Sequence, residues 1–268
     1  VGRNIAHNLA MLGRDVHLIS AVGSDFYGET LLEQTRQAGV NVSSCIRLHG
    51  HNTSTYLSIA NQQEETVLAI NDTHILQQLT PQLLNGSRDL IRHSGVVLAD
   101  CNLTAEAIEW VFTIADDIPV FIDTVSEFKA EKMKTWFTRI HTLKPTQKEL
   151  AILWGQPIHT DADRVLAVNS LHQQGVKRIF VCLEDESVFC SEKDGEQFLL
   201  TPPEHTVVDS FGADDAFMAG LLYSFLEGSE FRESARFAMA CAALSRASVS
   251  INNPTLSADN ALYLLQTA

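Results

Sequence analysis

Cysteine and proline are scarce in this chain. Its five cysteines are widely scattered and include no C-x-x-C pair, so neither a disulfide framework nor a zinc site is expected. They are better explained as buried thiols in a reducing compartment. Only seven prolines occur among 268 residues, and 45% of the residues are hydrophobic. The sequence therefore predicts a chain that buries a sizeable core and has little disordered linker.

Long apolar runs and basic residues are scarce as well. No run approaches the ~18 residues of a membrane-spanning helix, and no secretory signal peptide is recognisable, so we expect a cytoplasmic protein. There are 19 basic against 33 acidic residues, giving a net charge of −14. This balance argues against a nucleic-acid polymer or an anionic membrane as partner. A small anion such as ATP is still allowed, because helix N-termini and Mg²⁺ can supply local positive potential.

The start of the chain is unusual for an α/β protein. The first residue is Val1 rather than Met, and residues 4–12 already have the apolar spacing of a helix, with no strand before it. We therefore expect that an N-terminal strand is missing from this sequence.

Apolar runs and helical periodicities alternate along the rest of the chain. Strands are predicted at residues 17–22, 96–99, 120–122, 141–144 and 178–183, with two short strands between 187 and 200. Helices are predicted at about 4–12 and 26–38, after Pro145, and at 213–227, 230–248 and 257–266. This order indicates one α/β domain over residues 1–268, with a mostly parallel sheet covered by helices on both faces.

A hairpin interrupts this alternation near the N-terminus. Residues 53–59 and 66–70 alternate between apolar and polar side chains, and residues 61–64 have the composition of a turn. We expect a small β-flap at approximately 48–72, beside the main sheet.

The most informative segment is residues 209–217 (DSFGADDAF), which reads as a strand end, a glycine turn and the start of an apolar helix. Backbone N–H groups at a helix N-terminus attract phosphate, and a carboxylate there, Asp215, can accept the proton of an attacking hydroxyl. The alternative is an ordinary strand-to-helix junction in which an aspartate caps the helix.

Three segments together carry a family resemblance. Residues 2–6 (GRNIA), 22–28 (VGSDFYG) and 209–217 occur in the order and spacing of the motifs of the PfkB (ribokinase-like) carbohydrate and nucleoside kinases. The chain resembles this family along nearly its whole length, and within it is most similar to the pseudouridine kinases. The resemblance implies a Rossmann-like sheet with a β-lid over the sugar. It also implies ATP, Mg²⁺, a monovalent cation such as K⁺, and a homodimer formed through the lid.

The resemblance also implies roles for residues of the sugar side. Asp215 corresponds to the catalytic base, and the backbone N–H groups of residues 212–215 (Gly212, Ala213, Asp214 and Asp215) to the anion hole. Asn4 corresponds to a ligand of the sugar hydroxyls, although an asparagine there could equally cap a helix. Thr53 and Tyr56 lie on the lid and would contact substrate, but alternate residues of any exposed hairpin have a similar pattern.

On the nucleotide side, the resemblance implies that Lys144, Glu149, Glu184 and Asn253 lie near the cofactor. Glu149 would hold Mg²⁺ indirectly, through water and phosphates, whereas the helix dipole alone could explain an acid at that position. Asp209 and Phe211 correspond to the positions that bind the monovalent cation.

Three of these positions depart from the family pattern, all on the ATP side. Asp214 replaces a glycine of the anion hole, Thr146 replaces an asparagine of the metal network, and Glu184 lies in an acidic turn where a glycine-rich turn is usual. A carboxylate ~5 Å from phosphate, at an effective dielectric near 20, would oppose its binding by roughly 3 kcal/mol. We therefore expect these residues either to weaken kinase activity or to change the phosphate-donor site.

The function predicted from the sequence is ATP-dependent phosphorylation of a primary hydroxyl on a ribose-like sugar or nucleoside. The 5′-hydroxyl of pseudouridine is the leading acceptor. The alternative is a catalytically impaired relative that binds a sugar or nucleoside, or regulates another protein. A nicotinamide-dependent enzyme is disfavoured, because no G-x-G-x-x-G segment follows a strand.

Overall fold

A computed structural model describes residues 1–60, 66–203 and 207–267. The turn predicted at residues 61–64 lies outside the described residues. Within the described part of the chain, no helix has both the length and the apolar character needed to cross a membrane.

Six helices lie where apolar spacing predicted them, and several helices begin at capping side chains. Asp25 accepts a hydrogen bond from the amide of Gly28 at the start of the second helix. The helices are α1 Gly2–Met11, α2 Phe26–Gln37, α3 Pro81–Leu84, α4 Arg88–Arg92, α5 Ala105–Ala115, α6 Glu127–Ala130, α7 Gln147–Trp154, α8 Asp161–Gln173, α9 Ala213–Leu226, α10 Phe231–Arg246 and α11 Ala258–Thr267.

The central sheet has six strands in the order β10-β9-β8-β7-β6-β5. Strands β5 to β8 are parallel, and β9 and β10 extend the sheet antiparallel. Its strands are β5 Val97–Asp100, β6 Val120–Asp123, β7 Thr142–Lys144, β8 Arg178–Cys182, β9 Val188–Glu192 and β10 Gln197–Leu200. The mostly parallel α/β fold predicted from the sequence is confirmed.

Two small sheets accompany the central one. Strands β1 Ala21–Gly23 and β2 Ile46–Leu48 pair in parallel, and β3 Thr55–Ala60 and β4 Thr66–Asp72 form the predicted antiparallel hairpin. The hairpin lies within the limits expected for the flap, and we call it the lid.

One predicted strand is wrong in extent. Residues 17–22 were expected to form a single buried strand, but regular pairing covers only β1, and His17 makes an isolated bridge to Asn41. The physical reason is the length of the strand that pairs with β1. Because β2 has only three residues, most of residues 17–22 pack against the core without regular backbone hydrogen bonds to a neighbouring strand. The sequence also gave no indication of β2 or of the short helices α3 and α4.

Helix α9 forms the centre of the apolar core. It packs against α10 closely enough that a Cβ added at Gly220 would lie 2.6 Å from the Cα of Ala238. Residues of α1, including the fully buried Ile5, pack in the same cluster as α9. Beyond β5, a cavity of about 540 Å³ with mostly apolar walls separates the central sheet from residues 15–20. These contacts place α1, α9 and α10 in one apolar cluster.

Candidate active site

Charged side chains gather where the parallel strands end. Asp100, Asp123 and Lys144 are the last residues of the adjacent strands β5, β6 and β7. In open α/β sheets, ligands bind in the crevice beyond the carboxyl ends of the strands. Asp100 accepts a hydrogen bond from the amide of Gly2, 2.9 Å away, which ties the start of α1 to this edge.

A buried ion pair lies at the centre of this crevice. Lys144 Nζ is 3.1 Å from Asp123 Oδ2, and each side chain is only 6% exposed. Burial alone would lower the pKa of Lys144, but the attraction of Asp123, with a further contribution from Asp214, raises it well above its usual value. Lys144 is therefore a permanent positive charge that interacts with Asp214 at the start of α9.

The turn before α9 requires glycine at position 212. Its φ of +86° is in the left-handed region, and an added Cβ would lie 2.1 Å from the carbonyl oxygen of Ile251. The first helical hydrogen bond runs from the amide of Ala216 to the Gly212 oxygen. The Ala213 amide donates to the Ser210 oxygen at 3.4 Å, and the amides of Asp214 and Asp215 follow it, so this helix end has donors that an anion site needs.

Asp215 combines burial with a defined hydrogen bond. The residue is 8% exposed, and its Oδ2 accepts a hydrogen bond from Asn4 Nδ2 at 2.9 Å. Burial raises the pKa of Asp215 to about 6, against the opposing effect of the hydrogen bond from Asn4. The carboxylate is consequently ionised at neutral pH, and its pKa lies close enough to neutral pH for it to accept a proton. The structure thus brings together two residues predicted for the site from opposite ends of the sequence.

Asp214, the next residue in the same turn, lies on a different side of the helix. It is exposed, whereas Asp215 is buried. Its charge raises the pKa of both Lys144 and Cys182. The negative charge of Asp214 is therefore screened by solvent and faces a buried cation, so its repulsion of phosphate is smaller than the sequence-based value.

Glu149 is held by an N-terminal capping box on α7. Its Oε2 accepts hydrogen bonds from the Thr146 amide at 2.8 Å and from the Thr124 hydroxyl at 2.6 Å, and the residue is 6% exposed. Thr146 in turn accepts from the Glu149 amide. The departure at Thr146 thus has a structural consequence, because the threonine caps the helix that carries Glu149.

The two other residues predicted near the nucleotide have different surroundings. Glu184 is exposed in the turn after β8 and forms an ion pair with Lys148, 3.0 Å between Nζ and Oε1. Asn253 is 5% exposed; its Nδ2 donates to the Leu244 carbonyl and its Oδ1 accepts from the Thr255 amide and hydroxyl. These bonds make Asn253 an anchor of its loop to α10.

On the lid side, Thr53 belongs to a buried hydrogen-bond cluster. Its amide and hydroxyl donate to the carboxylate of Asp25 at 2.7 and 2.6 Å, and its hydroxyl accepts from the Gly23 amide. Thr53 therefore fixes the base of the lid to the start of α2. Tyr56, by contrast, is 62% exposed on β3. A substrate contact by either residue stays a prediction.

The predicted cation ligands lie in the loop that leads into the glycine turn. Asp209 Oδ1 accepts a hydrogen bond from the Phe211 amide at 2.9 Å, which closes a tight local turn. Among residues 1–60, 66–203 and 207–267, no group of three His, Cys, Asp or Glu side chains has the arrangement of a metal cage. Mg²⁺ in phosphoryl-transfer sites uses one or two carboxylates plus substrate phosphates, so Glu149 fits a water-mediated role without such a cage.

Sequence reasoning missed Arg3 and Asn8, and it missed the contacts that join them to Asn4 and Asn252. Arg3 Nη1 donates to the side-chain oxygens of Asn4 and Asn252, and Asn252 Nδ2 donates to Asn8 Oδ1. The signal was present in the spacing of polar residues on α1, since Asn4 and Asn8 are four residues apart and share one helix face.

Comparison with known proteins agrees with this arrangement. The profile of the pfkB family of carbohydrate kinases matches residues 1–258. The chain belongs to the PfkB family of carbohydrate kinases. It is 77% identical over 265 residues to the protein described as "Uncharacterized sugar kinase YeiI" of Escherichia coli K12, covering 99% of this chain and 73% of that protein.

The name of a second relative includes a substrate. The pseudouridine kinase of Escherichia coli K12 is 40% identical over 268 residues, covering all of this chain and 86% of the relative. Among solved structures, Arabidopsis thaliana ribokinase complexed with ribose and ATP superposes with a TM-score of 0.90 at 22% identity, covering 100% of this chain and 87% of that one. The predicted ribokinase-like fold is confirmed, and the chain is a sugar or nucleoside kinase of this family.

Proposed function

We propose that this kinase transfers the γ-phosphoryl group of ATP to the primary hydroxyl of a ribose-like nucleoside, with pseudouridine as the leading acceptor. The observation that carries the proposal is the buried Asp215 at the N-terminus of α9, hydrogen-bonded to Asn4. The 40% identity to a pseudouridine kinase supports the choice of acceptor.

In the proposed reaction, Asp215 accepts the proton of the attacking hydroxyl as its oxygen bonds to the γ-phosphorus of ATP. The bond from that phosphorus to the β–γ bridging oxygen breaks, and ADP leaves. The amides of Gly212, Ala213, Asp214 and Asp215 stabilise negative charge on the transferred group. Mg²⁺, when bound with ATP, would neutralise phosphate charge. Glu149 would orient its water ligands, and Lys144 would add fixed positive charge under the phosphates.

The substrate proposal is tested by incubating the protein with Mg-ATP and a panel of acceptors: pseudouridine, uridine, inosine and ribose. We expect the highest kcat/KM for pseudouridine, since the chain is 40% identical to a kinase of that nucleoside. Ribose as the preferred acceptor would contradict the nucleoside assignment and leave the kinase assignment intact.

The three departures on the ATP side support a second proposal: this protein is a slower kinase than relatives with glycine at position 214. Asp214 adds an exposed carboxylate to a crevice that already holds Asp100, Asp123 and Asp215, with Lys144 as a buried counter-charge. If turnover were lost altogether, the protein would bind its nucleoside and perform a regulatory role instead; we call this the regulatory form of the proposal. Measured turnover with Mg-ATP separates the two forms, because the regulatory form predicts binding without product.

We also propose that the lid joins two copies of the chain. In the register of β3 and β4, Leu57 faces Ile70 and Ile59 faces Leu68, and these four side chains are 48–57% exposed. They form one apolar face, while Tyr56 belongs to the opposite face, where it would contact substrate. Sedimentation velocity is expected to show a dimer that Leu57→Glu dissociates; a monomeric wild-type protein at micromolar concentration would contradict this.

A further inference from the structure

Arg3 makes a set of contacts that the proposed reaction does not use. Its Nη1 lies 3.2 Å from Asn4 Oδ1 and 2.9 Å from Asn252 Oδ1, and its Nε donates to the Thr35 hydroxyl at 2.9 Å. The guanidinium thus connects α1, α2 and the loop before α11. Asn4, which accepts this hydrogen bond from Arg3, also donates the hydrogen bond to Asp215.

The chemistry of these groups fixes how the asparagine amides point. A guanidinium has only N–H donors, so the amide atom that faces it must be the oxygen. With Oδ1 of Asn4 toward Arg3, its Nδ2 necessarily faces Asp215, 2.9 Å away. Asn252 is oriented in the same way: its Nδ2 donates to the Asn4 carbonyl at 3.1 Å and to Asn8 Oδ1 at 2.8 Å. A reversed Asn4 amide would place an oxygen against the carboxylate.

We propose that Arg3 is a positioning residue that holds the Asn4 amide with its N–H toward Asp215 and thereby keeps that carboxylate ionised. A hydrogen bond donated to a carboxylate favours its charged form. Without a donor-only neighbour, the Asn4 amide turns over between two orientations, of which one repels the carboxylate. The proposal rests on the proposed function only in taking Asp215 as the base.

Other charged groups around Asp215 must be held constant in any test. Lys144 at the end of β7 attracts the carboxylate, and Asp123 at the end of β6 repels it. Asp214 is the charged neighbour on α9 itself. The part of α10 that contacts α9 contributes the small apolar residues Ala238 and Cys241. None of these groups is changed by substitution at Arg3.

The test is a ¹³C NMR titration of the Asp215 carboxyl, assigned by the signal lost in Asp215→Asn and recorded on the full chain without substrate. Arg3→Gln, whose side chain both donates and accepts, is expected to raise the pKa of Asp215 by about one unit, a tenfold gain in proton affinity. Arg3→Lys, which only donates, is expected to restore the wild-type pKa. Arg164→Gln, which removes an equally charged, 8% exposed arginine on α8, is the matched control and should change nothing.

A double-mutant cycle with Asn4→Leu separates the effect of Arg3 on the orientation of the Asn4 amide from the direct effect of its charge on Asp215. If Arg3 acts through Asn4, Arg3→Gln shifts the pKa by less than about 0.3 unit once Asn4 is replaced. An equal shift in both backgrounds, no shift in the wild-type background, or the same shift with Arg3→Lys overturns the proposal. Because the titration needs no turnover, it tests the role of Arg3 even if the panel of acceptors yields no product. If the kinase is active, the acidic limb of kcat/KM moves by the same amount.

Discussion

Replacing Asp215 by asparagine is expected to lower kcat for phosphoryl transfer about 10³-fold, the typical contribution of a general base. The amide keeps the size of the side chain but cannot accept the proton of the attacking hydroxyl. The measurement is steady-state turnover with Mg-ATP and the best acceptor of the panel. In the wild-type protein the rate should fall as the pH drops through about 6, where Asp215 becomes protonated.

Stability provides the control for this variant. Burial opposes the charged form of Asp215, so removing the charge should leave the thermal unfolding midpoint unchanged or raise it. A folded Asp215→Asn protein that retains more than about a tenth of wild-type kcat would show that this carboxylate is not the base. Asp214→Asn, one residue away in the same helical turn, removes the same charge without the proposed base and is expected to raise activity rather than lower it.

Replacing Asp214 by glycine is expected to raise kcat/KM for ATP about tenfold, equivalent to about 1.4 kcal/mol. The sequence-based estimate of roughly 3 kcal/mol is reduced because Asp214 is exposed and lies near the positive Lys144. Initial rates over a range of Mg-ATP concentrations, at fixed acceptor, give the value.

Two further substitutions at position 214 separate the effect of the negative charge from the effect of the Cβ on backbone approach to phosphate. Residue 214 lies in the first turn of α9, whose backbone conformation suits any L-residue, so the Cβ adds little strain. Asp214→Asn should therefore give most of the gain seen with Asp214→Gly, and Asp214→Ala should resemble both. A gain confined to glycine would attribute the effect to backbone approach; no gain in any variant would refute the role assigned to Asp214.

The elements of the fold were predictable where apolar spacing was long and uninterrupted. Helices α9 and α10 and the strand β8 follow such patterns, and each lies within about two residues of its predicted limits. Elements whose formation depends on a partner were not predictable. β1 is short because β2 is short, and α3, which begins at Pro81, is a single turn.

The candidate site was predictable where its residues are contiguous in sequence. Residues 209–217 contain the turn, the helix start and the carboxylate in one motif. The partners of that motif were harder to find, because Asn4 reaches Asp215 across 211 positions and Lys144 pairs with Asp123 between neighbouring strands. Family resemblance pointed to Asn4 and Lys144, but composition and spacing gave no sign of the pairing itself.

The role of Arg3 illustrates what sequence patterns omit. Its effect depends on which end of an amide faces a guanidinium, and this follows only from the contacts among Arg3, Asn4 and Asn252. Thr146 is a similar case, since a residue that breaks the family pattern forms a capping box with Glu149. In both cases the local hydrogen bonds changed the interpretation of the residue.

The central claim, phosphoryl transfer to a primary hydroxyl, is tested most directly by ³¹P NMR of the reaction of wild-type protein, Mg-ATP and pseudouridine. The account predicts a phosphomonoester resonance split by the two protons of the adjacent 5′ methylene group, growing in step with ADP. A resonance coupled to a single proton would indicate a secondary hydroxyl and would contradict the claim. Inorganic phosphate without an ester, or unchanged ATP, would also contradict it.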